Sequence, residues 1–197
     1  MLSHIMHEQL KVHCSAQLNF SSAELDLIDV HFHERLLKKK ELLLEEGEVC
    51  DTMTFVAEGC IRQFHLKEGD ERTCDLSFAG PWLTDLKSFN QGTPCVMNHQ
   101  ALETTRISSI RKADLLALYA ACPKFETYGR FMTEHVLERA SALAMSLGSD
   151  SPEERYLKLL NTRPELFQRV PQKYIANLLG ISPESLSRLR GRLAGKH

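Results

Sequence analysis

The residues whose types and spacing most clearly suggest a chemical role lie near the end of the chain. Glu184 and Arg188 are four positions apart, so they share one face of any helix that contains both. A glutamate carboxylate can accept a hydrogen bond from a cytosine amino group, and an arginine can pair with guanine through two hydrogen bonds. The two side chains could instead pair with each other on a solvated surface. The chemistry that they favour is recognition of DNA bases.

Neighbouring residues would complete such an interface. One group shares the face of Glu184 and Arg188, and a second group suits phosphate contacts, which position a protein without reading sequence. The first group is Pro183, Ser187 and Arg192, and the second is Gln172, Lys173, Ser182 and Arg190.

Two short helices must position these side chains. Ile175, Ala176 and Leu179 fall on one face of the first helix, and Leu186 and Leu189 on one face of the second. The two faces can bury a small shared core. Such a pair is typical of a DNA-reading helix-turn-helix, and the alternative is a helical hairpin that only packs.

The turn between the helices has its own sequence signals. Gly180 permits the positive φ that a tight turn between helices requires. Ser182 can cap the second helix through the amide of Ser185, with Pro183 at the first helical position. The helix predicted to enter the major groove is therefore Ser182–Leu193.

A long helix is predicted from about Phe125 to Leu147. Its apolar residues recur at spacings of three and four, which indicates either packing against its own domain or the seam of a parallel dimer. The predicted seam residues are Phe125, Tyr128, Met132, Val136, Ala140, Leu143 and Leu147.

Residues 41–110 have a different pattern, in which short β-rich runs alternate with glycine turns. The predicted strands are Leu42–Glu45, Thr52–Ala57, Ile61–Leu66, Arg72–Phe78 and Thr105–Ile110, which favours an antiparallel sandwich or barrel. A short helix over Ala113–Ala121 should follow.

The first 37 residues read as helical from residue 3 onwards. Ser21 and Glu24 resemble a capping box, and Leu25, Ile28 and Phe32 form one stripe. Lysines 38–40 are interpreted as a solvated strand edge.

The clearest linker is 148–151, before a helix start at 151–154 in which serine, proline and glutamate hold their preferred positions. We therefore expect three parts: residues 1–121, 122–148 and 149–197. Residues 150–197 carry nine basic and five acidic residues, whereas residues 1–149 carry fifteen and twenty-one. A basic end on an acidic body suits a DNA-binding module attached to a sensor domain.

Several classes of protein are disfavoured. No apolar run approaches the ~20 residues that span a bilayer, and no signal peptide is evident, so we expect a cytoplasmic protein. The six cysteines are widely spaced, and we expect free thiols and no metal or iron–sulfur site. No nucleophile–base pair or phosphate-binding glycine-rich loop indicates an enzyme.

Residues 42–193 resemble the cyclic-AMP receptor protein and fumarate-nitrate regulator (Crp/Fnr) family. The run 54–62 looks like the family's β-roll hairpin, and the run 182–188 looks like the start of its recognition helix. The resemblance implies an α+β fold. It comprises an N-terminal β-roll (a jelly roll like the cyclic-nucleotide-binding domain) with flanking helices, a long dimerisation helix and a C-terminal winged-helix or helix-turn-helix domain.

The nucleotide site departs from the family pattern. Nucleotide-binding members have a Gly-Glu pair and, about ten residues later, an arginine that neutralises the cyclic phosphate. When this chain is aligned with that pattern, Asp85 takes the place of the glutamate and Cys95 takes the place of the arginine. Burying an unpaired phosphate charge costs several kcal/mol, so we expect no cyclic nucleotide and no cofactor. The candidate effector pocket comprises Asp85, Leu86, Cys95, Val96 and Ser141.

The leading hypothesis is a homodimeric transcription regulator that binds a palindromic site in double-stranded DNA. RNA polymerase is a further candidate partner of such a regulator. The alternative is a ligand-sensing or protein-interaction module of the same fold, in which DNA binding is weak or vestigial.

Overall fold

The computed structural model describes residues 3–80 and 82–194. The chain begins with two helices, α1 (Ser3–Gln17) and α2 (Ser22–His31). The predicted capping box is present: the Ser21 amide donates to Glu24 Oε2 at 2.7 Å, and the Glu24 amide donates to Ser21 Oγ at 3.3 Å. The helical prediction is wrong beyond His31, because Phe32 has extended backbone and residues 33–37 form a strand.

Eight strands form two antiparallel sheets, in the orders β1-β8-β3-β6 and β2-β7-β4-β5. The five predicted strands are all present, with β1, β6 and β7 in addition. The bounds are β1 His33–Leu37, β2 Leu42–Leu44, β3 Thr52–Glu58, β4 Cys60–Lys67, β5 Asp70–Phe78, β6 Trp82–Leu83, β7 Asn98–Ala101 and β8 Thr105–Arg111. The two layers form a jelly-roll-like β domain, which we call the β-roll.

Two local features shape the roll. Gly59, between β3 and β4, has φ +102°, and a Cβ there would lie 2.7 Å from the Cα of Thr105. Only glycine lets the turn approach β8 this closely. The β4–β5 register shifts between Gln63 and Phe64, where Cys74 of β5 has no partner on β4. Ile61 lies in the core between the sheets, whereas Phe64 lies on the opposite face of β4 beside Arg62, so the apolar residues of β4 do not alternate strictly.

The elements that connect the sheets differ in part from the prediction. A short helix, α3 (Leu86–Gln91), follows β6 and was not predicted. Lysines 38–40 lie in the turn between β1 and β2, with Lys40 at φ 71°, and not on a strand edge. The expected helix after the roll is α4 (Lys112–Ala121).

The long helix is α5 (Pro123–Ser149), with 27 residues and a length of about 40 Å. It continues through Gly148 and Ser149, so the linker predicted at 148–151 is reduced to Asp150 and Ser151. Four helices follow: α6 (Pro152–Thr162), α7 (Leu166–Arg169), α8 (Gln172–Leu178) and α9 (Pro183–Ala194). Within residues 150–194 the structure has no strand, so the wing of a winged helix stays a prediction.

Three apolar clusters hold these parts together. One joins α1, α2, α4 and the start of α5 to the roll and includes Ile28, Ile110 and Phe125. A second lies between the two sheets, and a third joins the outer face of the roll to helices α6–α9. None of the described helices is long and apolar enough to cross a membrane.

Candidate nucleic-acid interface and effector region

The helices α8 and α9 form the predicted helix-turn-helix. Ile175, Ala176 and Leu186 are fully buried between them, and Leu179 and Leu189 are nearly so. Gly180 has φ +69° in the turn, and the amide of Ser185 donates to Ser182 Oγ at 3.2 Å. Local sequence signals therefore placed the turn, the cap and the shared core correctly.

The outer face of α9 is open to solvent. Pro183, Glu184, Ser187, Arg188 and Arg192 are exposed, whereas Arg190 is half-buried. A hydrogen bond from its own amide, a second from the Ser182 hydroxyl and the charge of Arg188 lower the pKa of Glu184. Glu184 is therefore an acceptor near neutral pH, as a contact to a cytosine amino group would require.

The arginines on this face have weak or exchangeable partners. Arg188 Nη2 donates to Ser185 Oγ at 3.0 Å, and Arg192 Nη2 lies 2.7 Å from Glu153 Oε2 on α6. Both are exposed contacts, which contribute little to stability and can be exchanged for a ligand. The candidate phosphate contacts Gln172, Lys173 and Ser182 are exposed as well.

The helix-turn-helix packs directly on the outer face of the roll. The Thr73 amide on β5 donates to Asn177 Oδ1 at 3.2 Å. Arg163 donates to the Leu76 carbonyl, and Arg169 pairs with Glu103. A buried arginine on β4, Arg62, forms an ion pair of 2.7 Å with Glu71 and faces α8. Helices α6–α9, which we call the output module, thus share one packed and hydrogen-bonded surface with the roll.

Asp75 links three elements on a neighbouring face of the roll. Its carboxylate lies 3.1 Å from Arg139 Nη2 on α5 and 3.6 Å from Arg163 Nη1 beyond α6. A cavity of about 690 Å³ opens beside these groups, between α5, the roll and the helix-turn-helix. We call it the α5 cavity.

The structure does not assemble the predicted effector pocket in this cavity. Of its five residues only Leu86 lines the α5 cavity. Asp85 caps α3 by accepting from the Ser88 amide at 2.9 Å, and the buried Cys95 thiol donates to the Glu45 carbonyl at 3.0 Å. Val96 and Ser141 are exposed.

Burial raises the pKa of the Cys95 thiol, which therefore stays neutral. Within the described part of the chain, no group of three or more His, Cys, Asp or Glu residues could hold a metal ion. All six cysteines are free thiols.

Comparison with known proteins decides the fold. Residues 34–122 match the cyclic nucleotide-binding domain family. The chain is 22% identical to the Thermus thermophilus catabolite activator protein, over 93% of this chain and 87% of that one, with a TM-score of 0.57. It is 17% identical to the c-di-GMP-responsive global regulator CLP of Xanthomonas campestris, over 89% and 93% of the chains, with a TM-score of 0.71.

A third similar structure is a Crp/Fnr-family transcriptional regulator from Eubacterium rectale. It is 16% identical, with 90% of this chain and 85% of that one covered, and a TM-score of 0.67. The protein has a Crp/Fnr-like fold. These neighbours are regulators and not enzymes. No curated protein matches by sequence.

In this Crp/Fnr-like chain α5 presents two apolar faces. The first two residues of the predicted seam, Phe125 and Tyr128, are buried in the core of the same chain. Val136, Ala140 and Leu143 then line the α5 cavity.

The most exposed apolar residues lie on another face of α5. Leu137 is 66% and Met145 is 73% exposed. The seam was predicted on the face of Val136, Ala140 and Leu143 because apolar residues recur more regularly there. Tertiary packing leaves the face of Leu137 and Met145 open.

Sequence reasoning also missed the groups that join the roll to the output module. Arg62, Asp75 and Arg163 carry no local motif, and their partners lie on other elements. In the sequence Arg62 is only the last residue of the hairpin-like run 54–62. A charged residue in the middle of an otherwise β-rich run, Ile61–Leu66, was the one available signal.

Proposed function

We propose that the protein is a homodimeric transcription regulator that inserts α9 into the major groove of DNA. The observation that carries this proposal is the division of α9 into two faces. Leu186 and Leu189 are buried against α8, whereas Glu184, Ser187 and Arg188 are exposed near the N-terminus of α9. A recognition helix presents its N-terminal side chains to base edges in this way.

The charge of the C-terminal part supports the same proposal. Residues 150–197 have a formal charge of +4, and the rest of the chain has −6. Gln172, Lys173 and Ser182 flank the exposed face of α9 and can contact phosphates. Binding should therefore weaken as the salt concentration rises, since phosphate contacts release counterions.

A homodimer would use the open face of α5. Leu137, Ser141, Ala144 and Gly148 follow spacings of four, three and four, which is the repeat of a parallel helix pair. Three of these side chains are small, so two α5 helices could approach closely. Met145 flanks this row and is 73% exposed. The row lies on a different face from the residues that line the α5 cavity.

A dimer of this kind would bind a palindromic site, with two α9 helices in major grooves about 34 Å apart. The test is selection of bound duplexes from a random library by the full chain, followed by sequencing. We expect an enriched inverted repeat with half-sites one helical turn apart. Enrichment of no sequence, or of single half-sites only, would contradict the proposal.

We further propose that the regulator does not respond to cyclic AMP. The position of the phosphate-neutralising arginine is held by Cys95, whose neutral thiol already donates to the Glu45 carbonyl. A phosphate there would have no cation to offset its desolvation. Millimolar cyclic AMP should leave the melting temperature of the protein unchanged, and a rise of several degrees would contradict this.

A further inference from the structure

The α5 cavity has an apolar body. The roll contributes Trp82 and Leu83, α5 contributes Val136 and Leu143, and α8 contributes Leu178. Its volume of about 690 Å³ falls within the range of pockets that hold drug-sized molecules. Such a surface favours a ligand with an apolar body, because burial removes apolar area from water.

One region of the cavity wall is cationic. Arg139, Arg155, Lys158 and Arg163 line the cavity, and Asp75 is the one carboxylate among the residues that line it in the described part of the chain. Lys158 also pairs with Asp150 at 2.7 Å, which leaves an excess of positive charge. Like charges along a partly enclosed wall focus the electrostatic field and attract an anion.

Two of these arginines converge on one point. Arg139 and Arg163 approach the two oxygens of Asp75 from opposite elements, at 3.1 and 3.6 Å. In the described structure Arg139 makes this one hydrogen bond, through Nη2. A guanidinium has five N–H donors, so Arg139 retains donors for a second carboxylate.

We propose that the α5 cavity binds an amphipathic organic anion, in which an apolar chain or ring carries one carboxylate. The apolar body would lie along Val136, Ala140 and Leu143, and the carboxylate would bind Arg139 and Arg163. Because Arg139 belongs to α5 and Arg163 to the output module, the ligand would tie the long helix to the helix-turn-helix.

This site adjoins the segment that aligns with the nucleotide cassette, because Thr84 and Leu86 line the α5 cavity. The two positions of the cassette's charged residues lie outside the cavity: Asp85 caps α3, and the Cys95 thiol donates to the Glu45 carbonyl. A second copy of the chain is the competing occupant of the apolar wall. The cationic region favours an anion, since a second α5 would bring Arg139 of its own towards the same place.

The test uses octanoate as the anion and octanamide as its neutral counterpart, titrated calorimetrically into the full chain without DNA. We expect one octanoate per chain, bound roughly tenfold more tightly than octanamide. Arg139→Gln should abolish that preference and leave octanamide binding unchanged. Arg130→Gln is the matched control, since Arg130 is an exposed arginine of α5 that pairs with Glu134 and does not line the cavity.

A second variant, Ala140→Trp, fills the cavity and should abolish binding of both ligands. Equal affinities for octanoate and octanamide would overturn the proposal, as would an unaltered preference in Arg139→Gln. If neither ligand binds and Ala140→Trp instead changes the mass measured by light scattering, a second copy occupies the cavity and the proposal fails. Since no DNA is present, these outcomes are independent of whether the protein binds an operator.

Discussion

The guanidinium carbon of Arg62 lies 3.8 Å from the centre of the Tyr174 ring and 4.2 Å from that of Phe64. Arg62 belongs to the roll and is fully buried, whereas Tyr174 belongs to the first helix of the helix-turn-helix. Arg62 Nε also donates to Thr73 Oγ1 at 2.9 Å. The charge of Arg62 is thus covered by the output module, which couples the two parts of the chain.

Removing the Tyr174 ring should weaken this coupling. Tyr174→Leu keeps an apolar side chain but loses the ring face, so we expect the free energy of unfolding to fall by about 1–2 kcal/mol. Tyr174→Phe retains a ring and should lose much less. Urea denaturation followed by circular dichroism measures both, and equal losses in the two variants would show that the ring does not stabilise Arg62.

The buried His99 should make stability depend on pH. Burial lowers its pKa to about 4, from 6.5 in the unfolded chain. Between pH 6.5 and 4 the unfolded state therefore binds the proton and the folded state does not, so stability falls as the pH is lowered through this range. The loss attributable to His99 should approach about 3 kcal/mol at pH 4.

Denaturant titrations at several pH values compare the protein with His99→Gln. The variant, which has no titrating group there, should lose less stability than the native protein between pH 6.5 and 4. Identical slopes for the two proteins in that range would contradict the assignment to His99.

The two faces of α5 can be told apart by charge substitution. Leu137→Glu places a charge on the open face and should convert the dimer to a monomer, because like charges would meet across the pair. Val30→Glu, at an exposed valine of α2, is the control and should leave the dimer intact. Size-exclusion chromatography with light scattering reports the mass.

Leu143→Glu tests the face that the periodicity of the sequence selected. Leu143 lines the α5 cavity, so its substitution should affect the dimer less than Leu137→Glu does. If Leu143→Glu dissociates the dimer and Leu137→Glu does not, the seam lies on the face predicted from sequence.

Lys173 should bind a phosphate without contributing specificity. Lys173→Ala should weaken binding to all duplexes similarly and reduce the slope of log K against log salt by about 0.9, because one phosphate is no longer neutralised. Lys39→Ala, in the exposed β1–β2 turn, should leave the slope unchanged. Fluorescence anisotropy from low to moderate salt measures the slope. Equal slopes for both variants would show that Lys173 does not contact a phosphate.

Features set by near neighbours in the chain were predictable. The capping boxes at Ser21 and Ser151 and the cap at Ser182 depend on residues three positions apart, and all three form. Strand β7 (Asn98–Ala101) was missed because its sequence, Asn-His-Gln-Ala, is polar and short and is held in place by β2 and β4.

Groups joined over long sequence separations were not predictable. Arg163 reaches Asp75, 88 residues earlier, and Tyr174 covers Arg62, 112 residues earlier. No local pattern marks such pairs, because folding alone brings their elements together. The same holds for the face of α5 that stays open, since packing of the roll and the helix-turn-helix decides it.

We propose that Arg188 on α9 reads a base, and the affinity of Arg188→Ala for the selected duplex and for a shuffled one tests this contact. Anisotropy at fixed salt should show a loss of about 1–3 kcal/mol on the selected duplex and little change on the shuffled one, so that specificity is lost. Arg130→Ala should behave as the native protein does. Equal affinities of Arg188→Ala and the native protein for the selected duplex would show that Arg188 does not read a base.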